Sequence, residues 1–226
     1  MLPLESVADG GAGRTYGGLS AAEREQRARA ALIESGTVLF ADNGFAATGV
    51  RDLCRTAKVS ERAFYASVGS REALLRAVYL EATDAVIARI ALAVDRVDAG
   101  LDIFERLRAG LGAFFEAITD EPRHGRLIYV EALGRGEEIE AARREGLSRF
   151  TELVLDRLAP YRAGGSGVGG DLGGPEVEAA VAAALVGVGE LAYRVAEGEL
   201  TIDAAGIDRL TRALAGLAVG AGLVGG

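Results

Sequence analysis

Histidine and cysteine are the residues that nucleophilic or metal-assisted catalysis most often uses, and this chain has one of each. Cys54 falls on the predicted core face of an N-terminal helix, so a catalytic pair with His124 is not expected. His124 follows Pro122 near a predicted helix start, where a solvated or capping role is favoured. Two such residues alone cannot assemble a metal site of histidine and cysteine ligands. We therefore expect no enzyme, no cofactor and no metal.

A glycine-rich segment offers the other possible chemistry. Residues 165–170 read Gly-Ser-Gly-Val-Gly-Gly, which formally fits the dinucleotide-binding pattern G-x-G-x-x-G. That pattern cradles a phosphate when it joins a strand to a helix, whereas this segment follows a predicted helix and no Walker-type lysine comes after it. We therefore interpret residues 163–174 as a Gly-rich loop.

Composition favours a folded chain in a reducing compartment. The chain has 226 residues, half of them hydrophobic, and its single cysteine allows no intrachain disulfide. No long apolar run occurs near Met1, and the apolar stretches 179–189 and 213–226 are shorter than the roughly 20 residues that span a bilayer. We expect both stretches to be buried helices in a cytoplasmic protein with no membrane partner.

The charge of the chain is unevenly distributed. Its formal net charge is -8, but residues 20–80 contain nine Arg or Lys and seven Asp or Glu, which gives +2 there and leaves -10 elsewhere. Because exposed charges act mainly within a Debye length of about 8–10 Å, the local balance matters more than the sum. The acidic total therefore does not exclude a nucleic-acid surface in the N-terminal part.

Apolar residues recur at helical spacing throughout, and no useful strand-like alternation is found. The pattern predicts an all-α fold of about nine helices. A tail over residues 1–19 precedes a helix that Ser20 caps in a capping box with Glu23 and that Gly44 ends. A short helix begins at Thr48 or Gly49, and further helices begin after the serines at 60 and 70.

The later helices are predicted over residues 101–118, 125–133, 137–158, 175–196 and 203–217, with the 137–158 helix ending before Pro160. The long helix after Ser70 is expected to link an N-terminal head to a larger body. The predicted divisions are the tail 1–19, an N-terminal head over 20–70 and a larger helical body over 71–226.

Two short helices joined by a tight turn form a helix-turn-helix, whose second helix can enter a major groove. The second helix begins near Val59 and Ser60. Phe64 and Val68 lie four residues apart, so both are expected to face the core. The side chains left to face outward are Glu61, Arg62, Ala63, Tyr65 and Ser67.

The head resembles the DNA-binding domain of the TetR family of transcriptional regulators. Five clusters fall in order at that family's spacing: Phe40–Thr48, Val50–Leu53, Ala57–Ser60, Phe64–Tyr65 and Ser70–Leu75. The sequence departs from the family pattern at Lys58, where glycine is common, and at Val68 and Gly69, where an aromatic residue and often proline occur. The resemblance implies an all-helical homodimer that binds double-stranded operator DNA and a small-molecule effector.

The resemblance also implies residue roles. Contacts to DNA phosphates, which set register, fall to Thr48, Arg51, Ser60, Tyr65 and Arg71. Contacts to base edges fall to Glu61, Arg62, Ala63 and Ser67. Arg62 is the best candidate for a guanine contact, because its fork fits the two acceptors of that base. Glu61 could instead accept from cytosine or orient Arg62 or Arg55.

Two surfaces of the body are expected. The last two helices are unusually apolar, and packing them against their copies would give a four-helix bundle; its candidate residues are Val181, Leu185, Ile207, Leu210, Leu214 and Leu217. An ordinary intramolecular core is the alternative for the same stripe. A pocket for an apolar or aromatic ligand would lie among the middle helices, lined by Phe104, Leu107, Leu111, Phe114, Phe115, Leu127, Tyr129 and Phe150, although each could be plain core.

The sequence therefore predicts a repressor that a small apolar or aromatic ligand releases from a palindromic operator. Two alternatives stay open. One is a helical dimer that binds a small molecule or a protein partner without DNA, and the other is an enzyme on the same scaffold.

Overall fold

A computed structural model describes residues 20–98, 103–162 and 175–220. These residues contain no strand and form nine α-helices and one π-helical turn, which confirms the all-α prediction. The helices are α1 (Ala21–Asn43), α2 (Val50–Ala57), α3 (Glu61–Val68), α4 (Arg71–Asp95), α5 (Ile103–Asp120), α6 (Pro122–Arg126), α7 (Glu137–Arg162), α8 (Pro175–Ala196) and α9 (Ala204–Gly220). The π turn (Leu127–Glu131) follows α6 directly. The predicted tail 1–19 and the Gly-rich loop 163–174 lie outside the described residues.

Local capping signals place the helices of the head. Ser20 and Glu23 form the predicted capping box at the start of α1. Ser60 accepts a hydrogen bond from the Ala63 amide at the start of α3. Ser70 accepts one from the Ala73 amide at the start of α4. Gly44 ends α1 with φ +84°, a backbone angle that a residue with a Cβ rarely adopts.

The middle of the body differs from the sequence prediction at two points. One continuous helix was predicted over 125–133. Instead, α6 ends at Arg126 and the π turn begins at Leu127, with one residue more per turn than an α-helix. The helix predicted to end before Pro160 continues to Arg162. Proline lacks the backbone N–H that would donate a helical hydrogen bond. Pro160 lies in the last turn of α7, so the helix continues for only two residues beyond the missing bond.

The long helix α4 joins the head to the body. Its first half is buried against the head at Leu74, Leu75 and Val78, none of which is exposed to solvent. The same helix also packs on α5 and α7, and the ion pairs Arg76–Glu145 and Arg149–Asp84 join it to α7. One continuous cluster of buried apolar side chains therefore runs from the head into the body.

Helix α8 is more exposed than its apolar sequence predicted. Among the described helices it is the one whose length and composition would allow a membrane span, and only 17% of its most apolar 18-residue window is buried. Those two properties alone are a weak indication of a membrane, because helices that pack in soluble proteins share them. The prediction of a buried helix is thus wrong for the single protomer, and one face of α8 lacks cover.

Candidate nucleic-acid interface

The turn between α2 and α3 sets the angle of the helix-turn-helix. Lys58 ends α2 in the left-handed conformation at φ 56°, the one non-glycine residue with positive φ in the described parts of the chain. That conformation explains why glycine is common at this point, since a side chain there costs about 1–2 kcal/mol. Ser60 then caps α3 and remains exposed beside the turn.

Helix α3 has one packed face and one free face. Phe64, Ser67 and Val68 are buried, and Arg29 of α1 donates from Nη1 to the Ser67 carbonyl at 3.2 Å, which fastens the end of α3 to α1. The exposed side chains are Glu61, Arg62, Tyr65 and Ala66, with Ala63 half-buried between them. A short helix with such a free face is free to lie in a groove.

The structure corrects one of the predicted base contacts. Ser67 is 9% exposed, so its side chain faces the core and not a base edge. The physical reason is helical periodicity, because Ser67 lies three residues after Phe64 and so shares its face. The same periodicity places Ala66 on the exposed face, four residues after Arg62. Ala66 was not among the predicted base contacts.

Thr48 is also corrected. Its side chain was predicted to hold a phosphate, but the residue is only 2% exposed. The Thr48 hydroxyl lies 2.8 Å from the Gly44 carbonyl and 3.1 Å from the Leu39 carbonyl. Thr48 thus joins the end of α1 to the start of α2 and is unavailable to DNA.

We predict that Thr48→Val lowers the free energy of unfolding by about 1–3 kcal/mol, because the hydroxyl proton that two part-buried carbonyls share is lost. The DNA affinity of the folded protein should not change. Chemical denaturation measures the first effect and fluorescence anisotropy with labelled DNA, well below the melting temperature, measures the second. A loss of affinity with unchanged stability would restore the phosphate role.

Arg71 braces the head from within. Its Nη1 donates to the Thr48 carbonyl at 2.9 Å, and its guanidinium carbon lies 4.3 Å from the centre of the Phe45 ring. The side chain is 29% exposed, so the phosphate contact implied by the resemblance stays a prediction. The brace was not visible in the sequence because it joins residues 23 or more positions apart.

The exposed side of the head is rich in arginine. The Arg51 side chain is 91% exposed and lies 3.5 Å from Glu61, so Glu61 orients Arg51 and not the Arg62 or Arg55 considered from sequence. Arg55 pairs with Asp52 on its own helix. Arg62 is exposed and has no ion-pair partner among the residues that the structure describes, which leaves its five donors for a ligand.

Neither candidate for nucleophilic chemistry is placed to act. Cys54 is buried, and burial raises the pKa of its thiol, which keeps the sulfur protonated. In the described ranges, no group of three or more histidine, cysteine or acidic side chains could hold a metal. His124 is half-buried in α6.

The structure gathers half of the predicted pocket residues into one aromatic cluster in the body. Phe114 of α5 meets Phe115, Tyr129 and Phe150 edge to face, with ring centres 5.0, 6.1 and 6.3 Å apart. Burial raises the pKa of Tyr129, so its phenol stays neutral. Leu127 is fully buried, and Phe104, Leu107 and Leu111 are partly buried on α5. That these residues line a pocket stays a prediction.

The predicted dimer stripe is largely internal. Val181 is 6% and Ile207 8% exposed, and Ile207 belongs to the protomer's own core, against which Leu210 and Leu214 also pack. Ile207 thus faces the core of its own chain, where α9 lies on α5, and a dimer role for the other predicted residues stays a prediction. Leu185 is half-buried, and Leu217 is 67% exposed. Val186, which was not among the residues predicted for this surface, is 61% exposed on α8.

Known proteins are similar to this chain in sequence and in fold. Residues 32–78 match the sequence model of the family described as bacterial regulatory proteins, tetR family. The HTH-type transcriptional activator FasR of Mycolicibacterium smegmatis is 26% identical over 136 residues, which are 60% of this chain and 60% of FasR. The chain thus aligns with less than two thirds of that relative's length.

Solved structures resemble nearly the whole chain. The fatty acid degradation regulator FadR of Bacillus halodurans superimposes with a TM-score of 0.67 at 15% identity, covering 83% of this chain and 97% of FadR. FadR of Bacillus subtilis, solved with stearoyl-CoA, gives 0.64 at 16% identity and covers 83% and 96%. A TetR-like transcriptional regulator from Rhodococcus sp. RHA1 gives 0.58 at 22% identity and covers 89% and 98%. At these identities the likeness shows the fold alone.

The helix-turn-helix described above coincides with the matched residues, and the matched family consists of regulators and not of enzymes. Residues 32–78 of the N-terminal head therefore carry the sequence pattern of the tetR family of bacterial regulatory proteins.

Proposed function

We propose that this protein is a homodimeric transcriptional regulator whose two α3 helices occupy successive major grooves of a near-palindromic operator. The observation that carries the proposal is the free face of α3, where Arg62 and Tyr65 are exposed beside an otherwise packed helix. Arg51 and Ser60 flank that face and are exposed toward the same side of the turn, where a phosphate backbone would run. We expect a regulator of this kind to act in the cytoplasm, with the DNA.

The test uses fluorescence anisotropy with DNA from upstream of the protein's own coding region and a scrambled duplex of equal length. We expect preferential binding to the upstream DNA. A dimer that makes about 6–10 phosphate contacts should lose roughly 10³–10⁵ in affinity between about 50 and 200 mM salt. Equal binding to both duplexes, or none at low salt, would favour a helical dimer that does not act on DNA.

The uncovered face of α8 supports dimerisation. Ala179, Ala183, Val186 and Gly187 recur at helical spacing and are all exposed. Gly187 has open space where a Cβ would lie, and so does Gly216 on α9, beside the exposed Leu217. Small residues allow close helix approach, so α8 and α9 with their copies would form a four-helix bundle.

We predict that Val186→Asp dissociates the dimer, because it places an unpaired charge in an apolar interface. Light scattering on the eluted protein should give half the molar mass, and DNA affinity should fall because one head reads too few bases. The matched control is Leu92→Asp, at an exposed leucine of α4. A folded variant with the dimer mass would show that α8 is not the interface.

The body supports an apolar effector. The aromatic cluster around Phe114 is apolar and uncharged, and Bacillus subtilis FadR, with the same fold, was solved with stearoyl-CoA. A long-chain acyl thioester is therefore the effector class that we propose, and we expect it to lower DNA affinity by favouring a body conformation that moves the heads. Stearoyl-CoA is the probe, with free CoA as its control.

Repression follows if ligand-free protein occupies a promoter. In vitro transcription from the upstream DNA should give less transcript when the protein is added and recover with stearoyl-CoA. A rise in transcript with the ligand-free protein would assign an activator, the role that the name of FasR states for that relative.

A further inference from the structure

A buried carboxylate of the body lies against the backbone of the DNA-binding head. Glu131 is the last residue of the π turn, and its side chain is 6% exposed. Its Oε2 accepts a hydrogen bond of 2.8 Å from the backbone amide of Phe45, 86 positions earlier in the chain. Phe45 lies in the turn between α1 and α2 and is itself buried. This amide of the head therefore depends on the body for its partner.

Two arginines hold the carboxylate in place. Arg126 and Arg135 lie 3.4 and 3.5 Å from its oxygens. Both also reach the head, because Arg126 donates from Nε to the Ala41 carbonyl at 3.0 Å and Arg135 lies 5.6 Å from the centre of the Phe45 ring. The arginines are about one third exposed, so the carboxylate is the buried member of the group.

The contact leads onward to the recognition helix. The Arg71 guanidinium stacks over the Phe45 ring and donates a hydrogen bond to the Thr48 carbonyl just before α2. Helix α2 in turn sets the position of α3 through the turn at Lys58. A shift of the Glu131 carboxylate therefore moves the frame that holds α3.

The other end of the π turn leads into the body. Tyr129 is two residues before Glu131 and packs edge to face on Phe114 in the aromatic cluster. A π turn holds one residue more than an α-helical turn, so a return to α geometry would rotate every side chain on it. Tyr129 and Glu131 must therefore move together.

We propose that Glu131 is a positioning residue that fixes the DNA-binding head on the body and transmits changes at Tyr129 to α3. The transmission rests on the proposed function, whereas the fixing of the head does not. The carboxylate acts by keeping the turn at Phe45 ordered, so its loss loosens the head without unfolding the body.

The test compares Glu131→Ala and Glu131→Gln with wild type in the full-length protein. Hydrogen exchange at the Phe45 amide should rise about tenfold or more in Glu131→Ala, because the buried donor loses its acceptor. Glu131→Gln keeps an acceptor oxygen and should show a smaller rise, and it decides the matter should the alanine variant not fold. DNA affinity should fall in the same order, with both variants measured below their melting temperatures.

Asp42→Asn is the matched control. It breaks another ion pair between head and body, in which Arg123 grips Asp42 through two bonds of 2.9 Å and lowers the pKa of its carboxyl. Exchange at Phe45 should stay at the wild-type rate in this variant. Wild-type exchange at Phe45 in Glu131→Ala, or equal increases in Glu131→Ala and Asp42→Asn, would overturn the assignment.

Transmission is tested by a double-mutant cycle with Tyr129→Leu, which needs no effector. The substitution should raise Phe45 exchange in the wild-type background and have no further effect in Glu131→Ala. Additive effects would mean that Tyr129 acts by another route. Should the wild-type protein bind no DNA, the proposed function fails, and the exchange measurements still decide whether Glu131 fixes the head.

Discussion

Replacing Phe64 by alanine is expected to unfold the head, with a loss of about 3–5 kcal/mol in the free energy of unfolding. Phe64 lies on the inner face of α3 and is fully buried, and its ring meets the Tyr65 ring edge to face with ring centres 5.2 Å apart. Because the head is small, few other side chains can move to fill the cavity that the substitution leaves. Since folded domains are stable by only about 5–15 kcal/mol, the recognition helix should lose its fixed position and DNA binding with it.

The neighbouring Tyr65 provides the control for this prediction. Tyr65→Ala also removes an aromatic ring from α3, but the residue is 55% exposed. Its removal should therefore cost far less stability, while affinity for DNA still falls. Denaturation followed by circular dichroism measures both variants. Equal losses of stability in the two variants would show that α3 is not packed on the face assigned to it.

Arg62→Ala is expected to abolish the preference for one base pair in each half-site. A bidentate arginine–guanine contact discriminates by about 1–3 kcal/mol, which corresponds to roughly 5- to 150-fold in affinity for the preferred operator. Affinity for duplexes that lack that base pair should change little. The basis is the exposed guanidinium of Arg62 on the free face of α3, which forms no ion pair with any residue that the structure describes.

Tyr65→Phe should behave differently from Arg62→Ala. Removing a hydroxyl that touches a phosphate weakens every sequence alike, because phosphates carry no base information. Titration of a panel of single-base operator variants separates the two patterns. The division of labour on α3 is wrong if both substitutions weaken all variants by one common factor.

Much of the head could be predicted from local sequence. Helix starts follow from single capping residues such as Ser20, Ser60 and Ser70, whose hydrogen bonds reach only three residues ahead. The buried position of Phe64 follows from helical spacing in the same way. Signals of this kind are complete within one turn of helix, so no knowledge of tertiary structure is needed to read them.

Contacts between a side chain and a backbone group were harder to predict from the sequence. Thr48 sits at a helix start that resembles a phosphate site, and only the fold shows that the carbonyls of Leu39 and Gly44 take its hydroxyl. Glu131 gave no sequence signal, because its partner is the backbone amide of Phe45. A contact to backbone leaves no trace in the partner's residue type.

The apolar stripe of α9 shows a different limit. A run such as Ile207, Leu210 and Leu214 indicates that one face is buried, but it does not indicate by what. The fold shows that α5 of the same chain covers it. On α8, the exposed face instead consists of small apolar residues such as Ala183, Val186 and Gly187, and an apolar sequence alone does not show which face of a helix stays uncovered.

We propose that two copies of α3 lie in major grooves on one side of a duplex. Dimethyl sulfate protection of guanine N7 tests it directly, because that atom lines the major groove. We expect two protected patches with centres about one helical turn, roughly 10–10.5 base pairs, or a multiple of it apart, and loss of one protected guanine from each patch in Arg62→Ala. Guanine N7 atoms that stay fully reactive while the protein is bound would contradict the account.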